Sequence, residues 1–176
     1  DDALPLSMLM SIVGGGESSR LHKDLVKEKQ IAQFAVSGAL GLEDDGIAGA
    51  GALIMPWGNK QKVLDSLREH IEKVRTEPVT QRELDKVKNQ LLSQEVFNAL
   101  TVENKAQLLG QYEVLQGGAD KANQRLAKIK AVTTDDLQRV AKTYLHREGE
   151  TAATVQPELG SALKSLFGGK GKEVDE

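Results

Sequence analysis

The sequence predicts an α+β fold in which helices layer on one face of a mainly antiparallel sheet. Three observations lead there. Residues 31–56 hold two strand-like runs with a turn signal between them. The opening residues and the stretch from 60 to 145 carry apolar side chains at helical spacing. Finally, "ETAATVQ", residues 150–156, resembles a short closing strand.

The elements follow in order. Residues 3–13, "ALPLSMLMSIV", are mostly apolar, and Pro5 suits a first helical turn, where its missing N–H costs nothing. Gly14, Gly15 and Gly16 break that run. Ser18 and Ser19 can cap what comes next, and Leu21 and Leu25 mark a short amphipathic helix over 19–29. From Ile31 the period falls to two, with Ala32, Phe34, Val36, Gly38 and Leu40 sharing one face of a strand. "EDDG", residues 43–46, is a turn signal. "IAGAGALIMP", residues 47–56, is apolar almost throughout, as in a strand buried on both faces or one whose small residues meet helices closely. The two strands should form an antiparallel hairpin.

Five helical runs fill the remainder. Val63, Leu64, Leu67, Ile71 and Val74 form one stripe. Pro78 separates it from a helix that opens on a Thr80–Glu83 capping box and continues through Leu84, Val87, Leu91, Leu92, Val96 and Ala99. Val102, Leu108, Leu109, Tyr112 and Leu115 mark a third helix, halted by Gly117 and Gly118. A fourth, over about 119–129, carries Leu126 and Ile129. Thr133 to Asp136 cap a fifth, which points Leu137, Val140, Ala141, Tyr144 and Leu145 inward. Residues 1–158 are expected to form one domain and 159–176, ending in "GGKGKEVDE", a flexible tail. Three strands are few for a sheet, and the chain opens on "DDALPLSML" rather than on Met. Both facts lead to the expectation of a fragment whose first strand or strands lie upstream.

Composition narrows the function. With aromatic residues at 3 %, the core must be aliphatic. A net charge of −3 provides no basic field for nucleic acid. The absence of cysteine excludes disulfides, thiolate nucleophiles and Cys-ligated zinc. No apolar run approaches the roughly 20 residues of a membrane span.

Motifs for self-contained catalysis are also missing. "GGGESSR" lacks the G-K-[ST] of a phosphate loop, its glycines follow a helix, and a G-x-G-x-x-G reading fails at Ser19. Its glycines instead suit a helix-to-helix corner at which backbones approach closely. His22, His70 and His146 stand apart, with neither H-E-x-x-H nor H-x-x-E-H, and read as solvated surface residues. There is no G-x-S-x-G elbow. The pairs Asp44–Asp45 and Asp135–Asp136 fall in a turn and at a helix start, where acids solvate or cap.

The stretch "LSMLMSIVGGGESSRLHKDLVKEKQIAQFAVSG" resembles the pitrilysin/insulinase zinc peptidases, the inverzincins, which include the mitochondrial processing peptidases. "PVTQRELDKVKNQLL", "LQGGADKANQRLAKIKAVTTDDLQRVAKTYL" and "TAATVQPE" are similar to later stretches of that family, and the matches run in order over residues 4–158. The resemblance implies the LuxS/processing-peptidase type of fold and, within a two-half clamshell, the C-terminal half that binds no metal. It implies no catalytic and no metal-binding residue in this chain, no cofactor of its own, and zinc only in a partner half or subunit. The implied partners are that zinc-bearing N-terminal half, or a paralogous subunit, and a peptide substrate. Active relatives place an arginine and a tyrosine at positions that fall on Val26 and Gln33 here. Lys27 and Gln33 are therefore the substrate-facing candidates, and Gly14, Gly15, Gly16, Ser19 and Arg20 form the structural corner. The function implied is one wall of a peptide-binding chamber. The alternative is a scaffold or assembly subunit of a heteromeric complex with no proteolytic role. A periplasmic or otherwise extracytoplasmic location is expected for a bacterial member.

Overall fold

The computed structural model describes residues 2–41, 46–98 and 100–155. Strands β1 (Ala32–Gly41) and β2 (Gly46–Ile54) form the antiparallel hairpin, in a two-stranded sheet. The residues from Glu43 to Asp45 that carry most of the turn signal lie outside the described residues. Opposed pairs fix the two faces. Ala35, Ser37 and Ala39 pair with Ala52, Ala50 and Ala48. Phe34, Val36, Gly38 and Leu40 pair with Leu53, Gly51, Gly49 and Ile47. One face is therefore made of small side chains and the other of large apolar ones around glycine. An irregularity between Ala32 and Phe34 allows Ala32 and Ala35, three positions apart, both to be buried.

Helix α1 (Ala3–Gly14) lies on the small-residue face, chiefly against β1. It buries Met8, Leu9, Met10, Ile12 and Val13, so it is apolar nearly all round, as befits a helix covered on both sides. Its other side meets α3 (Gln81–Asn98) and α6 (Thr134–Tyr144). Helix α2 (Lys60–Thr76) packs on α6 and the edge strand β2. The layers run sheet, α1, then α3 and α6. The helices thus occupy one side of the sheet, as the sequence predicts.

Local chemistry sets the boundaries. The Asn59 side chain accepts from the Gln61 and Lys62 amides and opens α2. The Thr80 hydroxyl accepts from the Glu83 amide while the Glu83 carboxylate accepts from the Thr80 amide, the reciprocal box that starts α3. Thr133 and Asp136 repeat the device on α6. Helix α4 (Val102–Gln116) ends where Gly117 turns left-handed at φ 70°. A short 3₁₀ segment, Ala119–Gln124, then leads into α5 (Arg125–Ala131).

Three expectations need correction, and two elements are less covered than their apolar composition suggests. The helix over 19–29 is largely π-helical, His22–Glu28, with Lys29 N–H bonding Asp24 O at 2.8 Å and Gln30 held at φ 50° to turn the chain into β1. Strand β2 is covered on one face only: Ile47 and Leu53 are exposed, while Ala50 and Ala52 pack on the core, so of its two readings the one with small residues meeting helices holds. Helix α4 turns no apolar residue fully inward, and Val102, Leu109 and Leu115 are exposed. Tyr144 is likewise exposed, its hydroxyl donating to Asp2. Residues 151–155 form no strand, for among the described residues no neighbouring strand offers them hydrogen bonds, and the tail beyond them lies outside the described residues.

Candidate functional site

The glycine corner positions the sheet against α1. A Cβ on Gly14 would stand 2.3 Å from the Ser37 backbone nitrogen and 2.6 Å from the Val36 carbonyl carbon, so α1 and β1 touch backbone to backbone. The Ser37 hydroxyl donates to Met10 O at 2.6 Å across the same contact. A Cβ on Gly15 would meet Ser11 O at 2.5 Å, and Gly16 turns at φ 91°. Ser19 is buried, and its hydroxyl donates back to Gly16 O at 2.6 Å. Arg20 then ties the corner to α3 through two parallel bonds to Glu83, at 2.7 and 2.8 Å. The Arg20 guanidinium, opposed by burial and aided by Thr80, holds the Glu83 carboxyl down at about 2.

Held this way, the sheet presents a bare apolar face. Phe34, Val36, Leu40, Ile47 and Leu53 are all about half exposed or more. Between them, Gly38 pairs with Gly49, and Gly51 sits opposite Val36. A Cβ at Gly38, Gly49 or Gly51 would meet nothing within 4 Å, and none of the three has a positive φ. The fold does not require glycine at any of them. Glycine there creates a shallow trough flanked by large apolar side chains, a place where another backbone can lie close.

The two substrate-facing candidates differ in setting. Gln33 sits at the strand irregularity and lines the groove along β2 with its side chain exposed. Lys27 is exposed on the π-helical turn and is not among the residues lining that groove. Val26, at the position of the relatives' arginine, is half-buried against the core.

Sequence reasoning missed one buried polar cluster. His70 is buried rather than solvated, and its Nε2 lies 3.1 Å from Asp24. Lys29 donates to Asp24 at 2.8 Å and to the buried Ser66 hydroxyl at 2.7 Å, so the π-helical turn is fastened to α2. Burial opposes the Asp24 charge, but hydrogen bonds from Lys29 and His70 outweigh it and hold the carboxyl below its usual range. The signal was available: Ser66 and His70 are four apart, on the stripe of Val63 and Val74. The residues present do not fit zinc. His22 lies on the π-helical turn, His70 on α2 and His146 in the connection after α6; His70 is committed to Asp24, and the described residues contain no group of three or more His, Asp or Glu arranged for a metal ion.

The described residues form an α+β unit in which a helix layer backs a two-stranded antiparallel sheet whose other face is apolar and exposed. The chain belongs to the family described as the peptidase M16 inactive domain, which matches residues 1–91. It is 29 % identical over 163 residues to the zinc protease PqqE of Helicobacter pylori, covering 89 % of this chain and 35 % of that protein. Among solved structures it is similar to a protease from Helicobacter pylori, with a TM-score of 0.75 and 26 % identity over 83 % of this chain and 35 % of that one. It shares its fold with a peptidase M16 inactive domain from Pseudomonas fluorescens, at a TM-score of 0.72 and 16 % identity over 82 % of this chain and 34 % of that one. The chain thus spans about a third of the length of these relatives.

Proposed function

We propose that this domain is one wall of a peptide-binding chamber and that its working surface is the open sheet face. The observation that carries the reading is the glycine trough at Gly38, Gly49 and Gly51, which the fold does not need and which large apolar side chains border. A peptide lying over it meets a flat backbone floor and gains contact with Phe34, Val36 and Leu53. The attacking water and the metal that activates it belong to a partner, a zinc-bearing half or a paralogous subunit. This domain contributes binding surface and exclusion of bulk water. Gln33, beside the trough on β1, offers an amide to substrate backbone, and Lys27 a charge at the domain's edge.

The experiment is reconstitution with the zinc-bearing half, following cleavage of an unstructured apolar peptide. The wall reading expects this chain to raise cleavage and Phe34→Ser to diminish that gain while the partner still binds. Complex formation without any change in cleavage would instead establish the scaffold role.

A further inference from the structure

The glycine trough has a definite shape. Pairing sets the open face in rows: Phe34 with Leu53, Val36 with Gly51, Gly38 with Gly49, and Leu40 with Ile47. The end rows are full, one inner row is empty, and the other holds Val36 alone. Same-face neighbours on a strand stand about 6.8 Å apart, so the β2 floor is bare for about 20 Å between the Leu53 and Ile47 positions. On β1 it is bare only at Gly38, between Val36 and Leu40. Large apolar side chains thus close the gap at both ends, and Val36 closes it at one side. Its floor is peptide backbone, over which a Cβ would meet nothing within 4 Å. No charged residue occurs in β1 or β2, and Phe34 is their one aromatic residue.

We propose that the gap over Gly38, Gly49 and Gly51 is a specificity pocket for one aromatic side chain of the bound peptide. Three side chains are missing there, so a guest side chain has room to reach the floor. Uncharged walls select against lysine, arginine, aspartate and glutamate, which would lose hydration and gain no partner. A flat floor selects a flat guest. A ring laid over a cross-strand glycine pair supplies the contacts that the glycines lack, and it buries about 150–250 Å². Phe34 lies diagonal to Gly51, within reach of an aromatic group there, and offers a ring edge. Because both ends are closed, the ring also fixes the register of the peptide against the wall. This inference rests on the chamber-wall reading and narrows its substrates to extended segments with Phe, Tyr or Trp where the chain crosses the gap.

The test uses this chain assembled with its zinc-bearing half, the zinc chelated so that bound peptide stays intact. The probes are fluorescein-labelled peptides Lys-Thr-Ala-Thr-X-Thr-Ala-Thr-Lys with Phe, Leu or Ala at X, and binding is read by anisotropy. The Phe peptide should bind about tenfold or more tighter than the Ala peptide. It should also bind about fivefold tighter than the Leu peptide. Gly49→Phe lays a ring of the chain's own into the gap and should cut the Phe-over-Ala preference about tenfold. Gly38→Leu, a second variant should the first fail to assemble, should act the same way. Any preference that resides in the zinc-bearing half cancels, because the ratio is compared between wild type and variant. Equal binding of the Phe and Ala peptides by wild type overturns the pocket. So does a parallel loss for all three peptides in a variant, which leaves the wall reading standing, with backbone contact as the use of the glycines. Absence of binding, or affinities that neither variant alters, overturns both readings.

Discussion

Gly14→Ala tests the contact that sets the sheet against α1. The added methyl would lie 2.3 Å from the Ser37 nitrogen and 2.6 Å from both the Ser37 hydroxyl and the Val36 carbonyl carbon. Two of those three atoms are backbone, so β1 itself must move. Overpacking of this kind costs about 1–3 kcal/mol. Separating the Ser37 hydroxyl from Met10 O adds about 0.5–1.5 kcal/mol. The better helix propensity of alanine returns about 0.5–1 kcal/mol. The net expectation is a loss of about 2 kcal/mol, or a fall of about 1 M in the urea midpoint at a slope near 2 kcal/mol/M. Gly38→Ala is the control, since its Cβ meets nothing within 4 Å, and it should hold or slightly raise the midpoint. Equal midpoints for Gly14→Ala and wild type, or a larger loss for Gly38→Ala, would refute the close approach of α1 to β1.

Other consequences are equally open to measurement. Glu83 is held at about 2 by Arg20, below its ordinary value, so its contribution is complete above about pH 5 and disappears as pH falls from about 4.5 toward 2. Glu83→Gln should therefore cost about 1 kcal/mol at pH 7, allowing for solvent screening, and flatten the acid limb of the stability curve; an unchanged acid limb contradicts the pairing. His70→Ala should cost about 1.5–3 kcal/mol in urea unfolding, because it removes a buried ring and a bond to the charged Asp24. A loss below about 0.5 kcal/mol would mean that the ring is solvated after all.

The element order was legible because each boundary has a local chemical cause. Thr80 with Glu83, Thr133 with Asp136 and Gly117 announce helix ends within four residues of sequence. The hairpin was legible from its period of two. Three features depend on tertiary partners that periodicity does not see. Helix α4 keeps helical spacing of apolar residues, but among the described residues its main neighbour is the short 3₁₀ segment Ala119–Gln124, and Val102, Leu109 and Leu115 stay exposed. Residues 151–155 carry strand composition, yet no strand among the described residues pairs with them. His70 sits among charged neighbours in sequence and becomes buried because Asp24 arrives from another turn. The glycines of β2 could be read as close approach, but on which face they matter emerges only from their pairing with β1. The corner at Gly14 was legible as a breaker, whereas its fit against Ser37 requires the structure.

The open face, with its glycine trough, is proposed to serve peptide binding rather than folding. Gly38→Val and Gly49→Val separate the two, since each adds a strand-favouring side chain where nothing lies within 4 Å. The measurement is peptide cleavage by the assembled protein, zinc-bearing half included, alongside the thermal midpoint of each variant. The expected result is an equal or higher midpoint with cleavage reduced about tenfold or more through KM. Undiminished cleavage by both stable variants would contradict it.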